Sequence, residues 1–259
     1  MDAAKISSFA DQLFDAERNR KAIPPLTEQD PKITLDDAYY IQLENIERVI
    51  AMGHVISGKK IGLTSPGIQK QMGVNEPDYG HLFAAMECPD GIIKTDELLQ
   101  PKIEAEIAFV LKADLAGGKV TREDVIANTA YVVAAFEIVD SRVADWKIKL
   151  PDTVADNASS GRYVLGSKPF TPEQLDLSKV AMKLYRNGEL VGEGTGAAVQ
   201  GDPCVAVAWL ANRLWDYGVT LKMGELILSG AFSAAPPAAK GDKFTAEFSS
   251  FGEVEAEFV

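Results

Sequence analysis

The chain has 259 residues, enough for one large domain with an ample core or for a small domain attached to a larger one. Its composition is ordinary for a globular protein, but its formal net charge is −12. Nucleic acids and anionic membrane surfaces recruit clusters of lysine and arginine, and no such cluster occurs, so we predict neither as a partner. A small anionic substrate fits if a metal ion reverses the local charge.

The cysteines and the distribution of apolar residues indicate the cellular compartment of the protein. Cys88 and Cys204 lie far apart without neighbouring histidines, so they predict neither a metal knuckle nor a disulfide framework. Asp2, Lys5 and Asp11 interrupt the first residues, which therefore lack the apolar run of a signal peptide. No apolar run approaches the roughly 18 residues of a membrane-spanning helix. These features predict a cytoplasmic protein.

The first fifty-odd residues have a helical pattern. Apolar residues between positions 6 and 14 recur at helical spacing, and Pro24-Pro25 is predicted to end this first helix. Thr34 is the predicted N-cap of a second helix, which Gly53 would stop.

The pattern changes near residue 57. A short helix follows, with Ser65 as its predicted cap and Gly73 as its predicted end, and strand signals dominate much of the remaining chain. No repeat or long linker separates the parts. We therefore predict a helical appendage over residues 1–57 and a β-rich core over residues 58–259.

The segment 101–111 is predicted to form a strand that carries two acidic residues. Alternation places Glu104 and Glu106 on one face, which continues with Ala108 and Val110. The opposite face carries Ile103, Ala105, Ile107 and Phe109. Because apolar residues continue the acidic pair, the pattern indicates a half-covered cleft rather than an open sheet surface.

A third glutamate lies within a second predicted strand, Tyr131–Val139. Glu137 has apolar neighbours on both sides, and an ionised carboxylate there is strongly unfavourable unless a cation compensates it. Oxygen-only carboxylate ligands suit hard cations such as Mg²⁺ or Mn²⁺. The alternative is that Glu104 and Glu106 are solvated while Glu137 pairs with a basic residue such as Arg142.

Later elements continue the strand pattern with one strong helix. Asn187-Gly188 between two short strands is the signature of a type I′ hairpin. Asp202 is predicted to cap a helix that Gly218 closes. From Leu226 onward the apolar residues alternate with a period of two, which predicts further strands.

Three other sites could carry chemistry. Lys59 and Lys60 lie between two glycines, where a lysine can bind a carboxylate or transfer a proton, although both could equally be surface lysines. Asp78 follows a proline in a predicted tight turn, a place that favours aspartate for local reasons alone. The polar loop 156–161 could offer hydroxyl and N–H groups to a carboxylate, or be an ordinary turn.

Two common site types are not supported. The glycines of residues 192–196 lack the spacing of a dinucleotide loop and follow a hairpin, so a nicotinamide cofactor is rejected. His54 and His81 have no serine or cysteine partner at a recognisable spacing, and we expect His81 at the surface. A Ser/His/Asp hydrolase is therefore unsupported.

Six segments along the chain have a familiar pattern: Gly58–Ser65, Gly73–Gly80, Ile103–Ile107, Phe136–Arg142, Asp152–Gly161 and Leu221–Gly230. Together they resemble the 2-hydroxypenta-2,4-dienoate (2-keto-4-pentenoate) hydratases of the fumarylacetoacetate hydrolase superfamily. The resemblance implies an α+β protein whose mixed β-roll or sandwich core follows a small N-terminal helical region, assembled as a homo-oligomer.

The same resemblance implies a site and a reaction. Water would be added to 2-hydroxypenta-2,4-dienoate to give 4-hydroxy-2-oxopentanoate, in the meta-cleavage catabolism of aromatic compounds. The implied roles are Mg²⁺ or Mn²⁺ ligands for Glu104, Glu106 and Glu137, proton transfer for Lys60 and Asp78, and contact with the substrate's carboxylate for Ser160.

Three alternatives stay open from the sequence. A 4-oxalocrotonate (2-oxo-3-hexenedioate) decarboxylase would share the metal, lysine and loop motifs. A 2-oxohept-4-ene-1,7-dioate hydratase would need an extra basic residue for the distal carboxylate. A non-catalytic partner subunit of a decarboxylase complex would keep the fold, but it would have no need of a costly acidic cluster.

Overall fold

The computed structural model describes residues 1–250 and 252–259, and the side chains of all of these except residues 71 and 72. Within these ranges, none of the helices is both long enough and apolar enough to cross a bilayer. The helices are α1 (Ala3–Asn19), α2 (Leu26–Gln29), α3 (Leu35–Ala51), α4 (Pro66–Met72), α5 (Arg122–Asn128), α6 (Leu150–Ala155) and α7 (Pro203–Trp215).

The strands form two mixed sheets. The first has the order β2-β1-β9-β4-β5-β6 and the second the order β3-β11-β10-β7-β8, with β1–β9 and β11–β3 parallel. The prediction of an α+β protein with a mixed β core and N-terminal helices is confirmed. The strands are β1 (Ile56–Gly62), β2 (Asp78–Phe83), β3 (Ile92–Ile93), β4 (Lys102–Leu111), β5 (Thr129–Val139), β6 (Ser160–Leu165), β7 (Ala181–Arg186), β8 (Glu189–Thr195), β9 (Leu226–Leu228), β10 (Lys243–Phe248) and β11 (Gly252–Phe258).

Local signals set most of the helix ends. Thr34 caps α3 as predicted, and Gly53 follows its end in the left-handed region with φ 93°. The prediction that Pro24-Pro25 ends α1 is wrong. That helix ends earlier because Arg20 is left-handed (φ 49°) and its N–H bonds to carbonyl groups of the last turn.

Other turn signals are confirmed with one difference. Ser65 caps α4 and Gly73 ends it at φ 67°, while Asn187 and Gly188 both have positive φ, as a type I′ turn requires. Asp202 caps α7 as predicted. The helix ends at Trp215, a few residues before Gly218, which takes a positive φ in the turn that follows.

The six-stranded sheet has one face in the main core and one that we call the inner face. The predicted apolar face of β4 packs into the main core, whereas the face of Glu104 and Glu106 continues into a separate small cluster. Both outermost strands, β2 and β6, contribute to that cluster, so the sheet curls around the inner face. The cluster consists of Leu82, Ala108, Val133, Ala135, Tyr163, Leu226 and Leu228.

The N-terminal helices are part of the same packing unit as the sheets. Phe9 and Leu13 of α1, and Tyr39 and Ile41 of α3, belong to the main apolar cluster that also contains the core face of β4. Burying these side chains stabilises the helices against the sheets. The domain boundary near residue 57 stays a prediction.

Candidate active site

The structure brings the three predicted glutamates together on the inner face. Glu104 and Glu106 are two residues apart on β4, and Glu137 on β5 pairs directly with Glu104 across the two strands. Residues with these relations share a face and lie close to one another. One carboxylate oxygen from each glutamate lies within 4.8 Å of the others.

Most oxygens of this cluster have no hydrogen bond to the residues that the structure describes, although Glu106 and Glu137 are fully buried and Glu104 is half-buried. Glu106 Oε2 accepts a hydrogen bond from the Gly230 N–H at 2.8 Å. Its Oε1 and both oxygens of Glu137 accept none from the part of the chain that the structure describes. Lys60 Nζ forms an ion pair with Glu137 Oε1 at 3.2 Å. One ammonium group thus faces three carboxylates.

The alternative that Glu137 pairs with a basic residue is confirmed in part, because its partner is Lys60 rather than Arg142. Arg142 pairs with Asp156 instead, so its guanidinium is not available to the glutamates. The solvated alternative for Glu106 is also wrong, because that side chain is fully buried.

Burial governs the protonation of the cluster. It raises the pKa of the Glu137 carboxyl to about 8, although the charge of Lys60 pulls in the other direction. Burial, and then the charges of Glu137 and Glu104, raise the pKa of Glu106 well above its usual value. Such a site gains stability by binding either protons or a cation.

The donor set fits a hard divalent cation. Each glutamate offers one oxygen within 4.8 Å of the others, and buried oxygens without partners are rare unless a ligand satisfies them. All the donors are oxygens, which suit Mg²⁺ or Mn²⁺. The residues present therefore fit the predicted metal.

Lys60 lies on the same inner face as the glutamates. It pairs with Gly80 on β2 and with Leu228 on β9, whose side chain belongs to the inner cluster. Its side chain is buried, so the surface alternative is wrong, and Nζ donates a hydrogen bond to the Ala158 carbonyl at 2.8 Å. Burial opposes its charge, but the carboxylates, Glu137 foremost, outweigh burial and raise its pKa.

Asp78 lies beside Lys60 at the first position of β2, buried rather than in an open turn. Its Oδ2 accepts a hydrogen bond from Thr153 Oγ1 at 2.6 Å, while Oδ1 has no partner among the described residues. Gly62, opposite Asp78 on β1, leaves the necessary space. A Cβ atom at Gly62 would lie 2.2 Å from Asp78 Oδ1 and 3.1 Å from Lys60 Nζ.

Ser160 is the predicted site residue with the least geometric support. It is buried at the start of β6, and its Oγ donates to the Asn157 carbonyl at 2.8 Å. It borders a cavity of about 460 Å³ that is lined by residues of α1, α3, β2 and β6. None of the three glutamates is among those lining residues.

The sequence did not establish where Lys59 and His81 lie. Lys59 is buried in an ion pair with Glu225 at 2.7 Å, so it too is not a surface lysine. The expectation that His81 is at the surface is wrong: it is buried, with Nδ1 2.9 Å from Gln42 Oε1. Burial, and then the charge of Lys59, lower its pKa to about 3, so its ring is neutral at physiological pH.

The sequence interpretation also missed Thr153 and Gly230 as partners of Asp78 and Glu106. Both lie in the segments that carry the family resemblance, 152–161 and 221–230. Their location in these segments is the sequence signal that could have identified them.

Comparison with known proteins places the chain among enzymes of similar length. The model of the fumarylacetoacetate (FAA) hydrolase C-terminal family matches residues 77–259. A 2-keto-4-pentenoate hydratase of Paraburkholderia xenovorans is 49% identical over 250 residues, covering 96% of this chain and 93% of that protein. A 2-hydroxyhexa-2,4-dienoate hydratase of Comamonas testosteroni is 46% identical over 260 residues, covering 99% and 98%.

A solved structure matches over the whole chain. The 4-oxalocrotonate decarboxylase from Pseudomonas putida G7, complexed with magnesium and adipate, superimposes with a TM-score of 0.97 at 39% identity, covering 100% of this chain and 99% of that one. The fold and the acidic site thus define the class of protein, that of the fumarylacetoacetate hydrolase superfamily. Within it, the chain belongs to the family of 2-hydroxypenta-2,4-dienoate (2-keto-4-pentenoate) hydratases, which confirms the resemblance.

Proposed function

We propose that this protein is a metal-dependent hydro-lyase that adds water to 2-hydroxypenta-2,4-dienoate and yields 4-hydroxy-2-oxopentanoate. The observation that carries the proposal is the buried glutamate cluster with unpaired oxygens, next to Lys60 and an unpaired oxygen of Asp78. Relatives named as hydratases of such dienoates, at 46% and 49% identity over nearly the whole chain, support it. The pathway would be the meta-cleavage catabolism of aromatic compounds.

Glu104, Glu106 and Glu137 would hold one Mg²⁺ or Mn²⁺ ion. The magnesium complex of the similar decarboxylase supports a divalent ion. When bound, such an ion supplies Lewis-acid stabilisation for negative charge that develops on the 2-oxygen of the substrate. A bound divalent ion would offset most of the negative charge of the three glutamates and Asp78 that Lys60 leaves uncompensated, which reduces the repulsion of an anionic substrate.

Lys60 and Asp78 would have different parts in the proton transfer. Asp78 Oδ1 lies against Gly62 and has no hydrogen-bond partner among the described residues, so it would take the proton of the 2-hydroxyl group and return it at C5. The raised pKa of Lys60 keeps it an ammonium group, which can hold negative charge on the substrate.

That proton movement gives an α,β-unsaturated 2-oxo acid. Water then adds with its oxygen at C4 and a proton at C3. Ser160 is proposed as a contact for the substrate's carboxylate.

The test is a turnover assay with purified protein. The five-carbon 2-hydroxydienoate and the six-carbon diacid 2-oxo-3-hexenedioate are supplied separately, with Mg²⁺ and after its removal by a chelator. We expect hydration of the five-carbon compound that depends on the metal. Failure to hydrate any 2-hydroxydienoate in the presence of Mg²⁺ or Mn²⁺ would contradict the proposal.

A decarboxylase is the second candidate, because the backbone superimposes over the whole chain on a 4-oxalocrotonate decarboxylase with a TM-score of 0.97. The higher identity to the hydratases, 46% and 49% against 39%, favours hydration. Release of CO₂ from the six-carbon diacid, without hydration of the five-carbon compound, would select this alternative.

We also propose that the chain assembles as a homo-oligomer. Tyr40, Ile50 and Met52 of the α3 region are all exposed large apolar side chains, as is Val55 just beyond it. Association with a second copy would remove such apolar side chains from water. Sedimentation velocity would decide between an oligomer and a monomer. The cytoplasmic location stays a prediction.

A further inference from the structure

One short segment contacts both proposed proton-transfer residues. Residues 150–160, which we call the α6 segment, contain helix α6 and the turn that follows it. Thr153 Oγ1 donates to Asp78 Oδ2 at 2.6 Å, and the Ala158 carbonyl accepts from Lys60 Nζ at 2.8 Å. All four residues are buried. The α6 segment therefore forms one hydrogen bond with the Asp78 carboxylate and one with the Lys60 ammonium group.

We propose that Thr153 is a positioning residue that orients the Asp78 carboxylate for proton transfer, an inference that rests on the proposed function. By occupying Oδ2, the Thr153 hydroxyl fixes the carboxylate, while Oδ1 has no hydrogen-bond partner within residues 1–250 and 252–259 as the structure describes them. Oδ1 lies over Gly62, where a side chain would collide with it. A buried acceptor without a partner is unfavourable for stability, which favours a role for Oδ1 towards a ligand.

The position of Thr153 is itself fixed from both sides. Asp152 accepts hydrogen bonds from the Thr27 N–H at 2.9 Å and from Thr27 Oγ1 at 2.7 Å. The Val154 carbonyl accepts from Gln42 Nε2 at 2.6 Å. Thr27 and Gln42 belong to α2 and α3, so the N-terminal helices hold the α6 segment against β2. Such supporting contacts are what keep a reacting group in its productive geometry.

A purely structural role for Thr153 makes a different prediction. Thr153→Val keeps the size and shape of the side chain but removes the donor, while Thr153→Ser keeps the hydroxyl and loses the methyl group. If packing matters, serine is the worse substitution. If the hydrogen bond to Asp78 matters, valine is the worse one.

The control variant is Thr129→Val. Thr129 is fully buried as well, and its Oγ1 donates to the Val125 carbonyl at 2.7 Å. It lies at the opposite end of β5 from Glu137 and pairs with Leu111. This change removes a buried threonine donor away from the site, so it reports what such a loss does to turnover when Asp78 is not involved.

The experiment compares kcat, KM and melting temperature of the Mg²⁺-loaded full-length variants on the five-carbon 2-hydroxydienoate. For Thr153→Val we expect kcat to fall by about 10- to 100-fold with KM changed by less than about 3-fold, since a misplaced group impairs the chemical step more than binding. Thr153→Ser should stay within about 5-fold of the wild-type kcat, because it retains the hydrogen-bond donor. Thr129→Val should keep the wild-type kcat.

Two kinetic results would overturn the inference: a Thr153→Val kcat equal to that of Thr129→Val, or a Thr153→Ser variant as slow as Thr153→Val. A crystal structure of Thr153→Val provides a test that does not depend on turnover. We expect the Asp78 carboxylate to rotate so that Oδ1 leaves the space over Gly62, and an unchanged orientation contradicts the inference. Inactivity of the wild-type enzyme on dienoates would refute the proposed function alone, since the crystal structure still decides the positioning claim.

Discussion

Two buried charged clusters lie close together in this protein, and they differ in how completely their atoms are paired. Around Arg142, the guanidinium donates to the Asp156 carboxylate and to the backbone carbonyls of Asp140, Asp156 and Ser160. Asp156 also accepts from the hydroxyls of Ser141 and Ser159. Around Lys60, one ammonium faces three glutamates, most of whose oxygens accept no hydrogen bond from the described part of the chain.

We call the fully paired cluster around Arg142 the closed cluster, and the incompletely paired cluster around Lys60 the open cluster. This difference in pairing separates a structural role from a binding role. The closed cluster holds the turn Asn157–Ser159, in which all three non-glycine residues have positive φ of 49–54°. That conformation is unfavourable and persists only where its surroundings fix it. The open cluster fixes nothing comparable and keeps oxygen atoms for a ligand. Complete pairing thus indicates support of the backbone, whereas incomplete pairing of buried carboxylates indicates a site.

Removing one ligand from the open cluster should have the largest effect, and it should fall on activity. We expect Glu106→Gln to reduce turnover by on the order of 10³-fold or more, the size of effect seen when a group that stabilises developing charge is lost. The metal-free stability should be unchanged or higher, because burial already penalises the Glu106 charge. A hydratase assay and chemical denaturation measure the two effects. Full activity under metal-limited conditions would refute the expectation.

Breaking the closed cluster should instead affect stability. Arg142→Met leaves the buried Asp156 carboxylate without its cation, and we expect a loss of about 3–5 kcal/mol in the free energy of unfolding. Urea denaturation measures it. The control is Arg122→Met, which removes a partly exposed partner of Asp202 and should cost about 1 kcal/mol or less. Equal losses in the two variants would contradict the distinction between the clusters.

Adding the metal should stabilise only a protein with an intact open cluster. At a free Mg²⁺ concentration of about 100 times Kd, we expect the wild-type free energy of unfolding to rise by about 2.7 kcal/mol. Glu137→Gln should respond less at the same concentration because one ligand has lost its charge. Denaturation curves with and without Mg²⁺ give the comparison. An equal gain in both proteins would place the stabilising ion elsewhere.

The smallest effect expected is a release of protons on metal binding. Because burial raises the pKa of Glu137 to about 8, the metal-free site retains protons at neutral pH, and a cation displaces them. The release should therefore decrease, and the affinity increase, as the pH is raised from about 7 to about 9. Calorimetric titration in buffers of different ionisation enthalpy counts the protons. No release near neutral pH would mean that the carboxylates are already ionised.

Local periodicity predicts where the three glutamates lie, but not what they bind. A strand alternates with a period of two, so Glu104 and Glu106 were assigned to one face before any fold was known, and the apolar flanks of Glu137 indicated its burial. The family resemblance supplied the roles of Lys60 and Asp78.

Contacts between distant parts of the chain could not be predicted in this way. Thr153 and Asp78 are 75 positions apart, and Lys60 and Ala158 are 98 apart, so neither hydrogen bond leaves a local pattern. The burial of His81 likewise depends on Gln42 from α3, 39 positions away. Tertiary packing decides such contacts, which is why the sequence alone placed His81 at the surface.

The most direct test is anomalous diffraction from crystals grown with Mn²⁺. We predict one anomalous peak per chain within coordination distance, about 2.0–2.4 Å, of an oxygen from each of Glu104, Glu106 and Glu137, as expected for a hard divalent ion. The peak should be absent in crystals of Glu106→Gln grown under the same conditions. A wild-type structure with no ion between these carboxylates, while the ion occupies another position, would contradict the account.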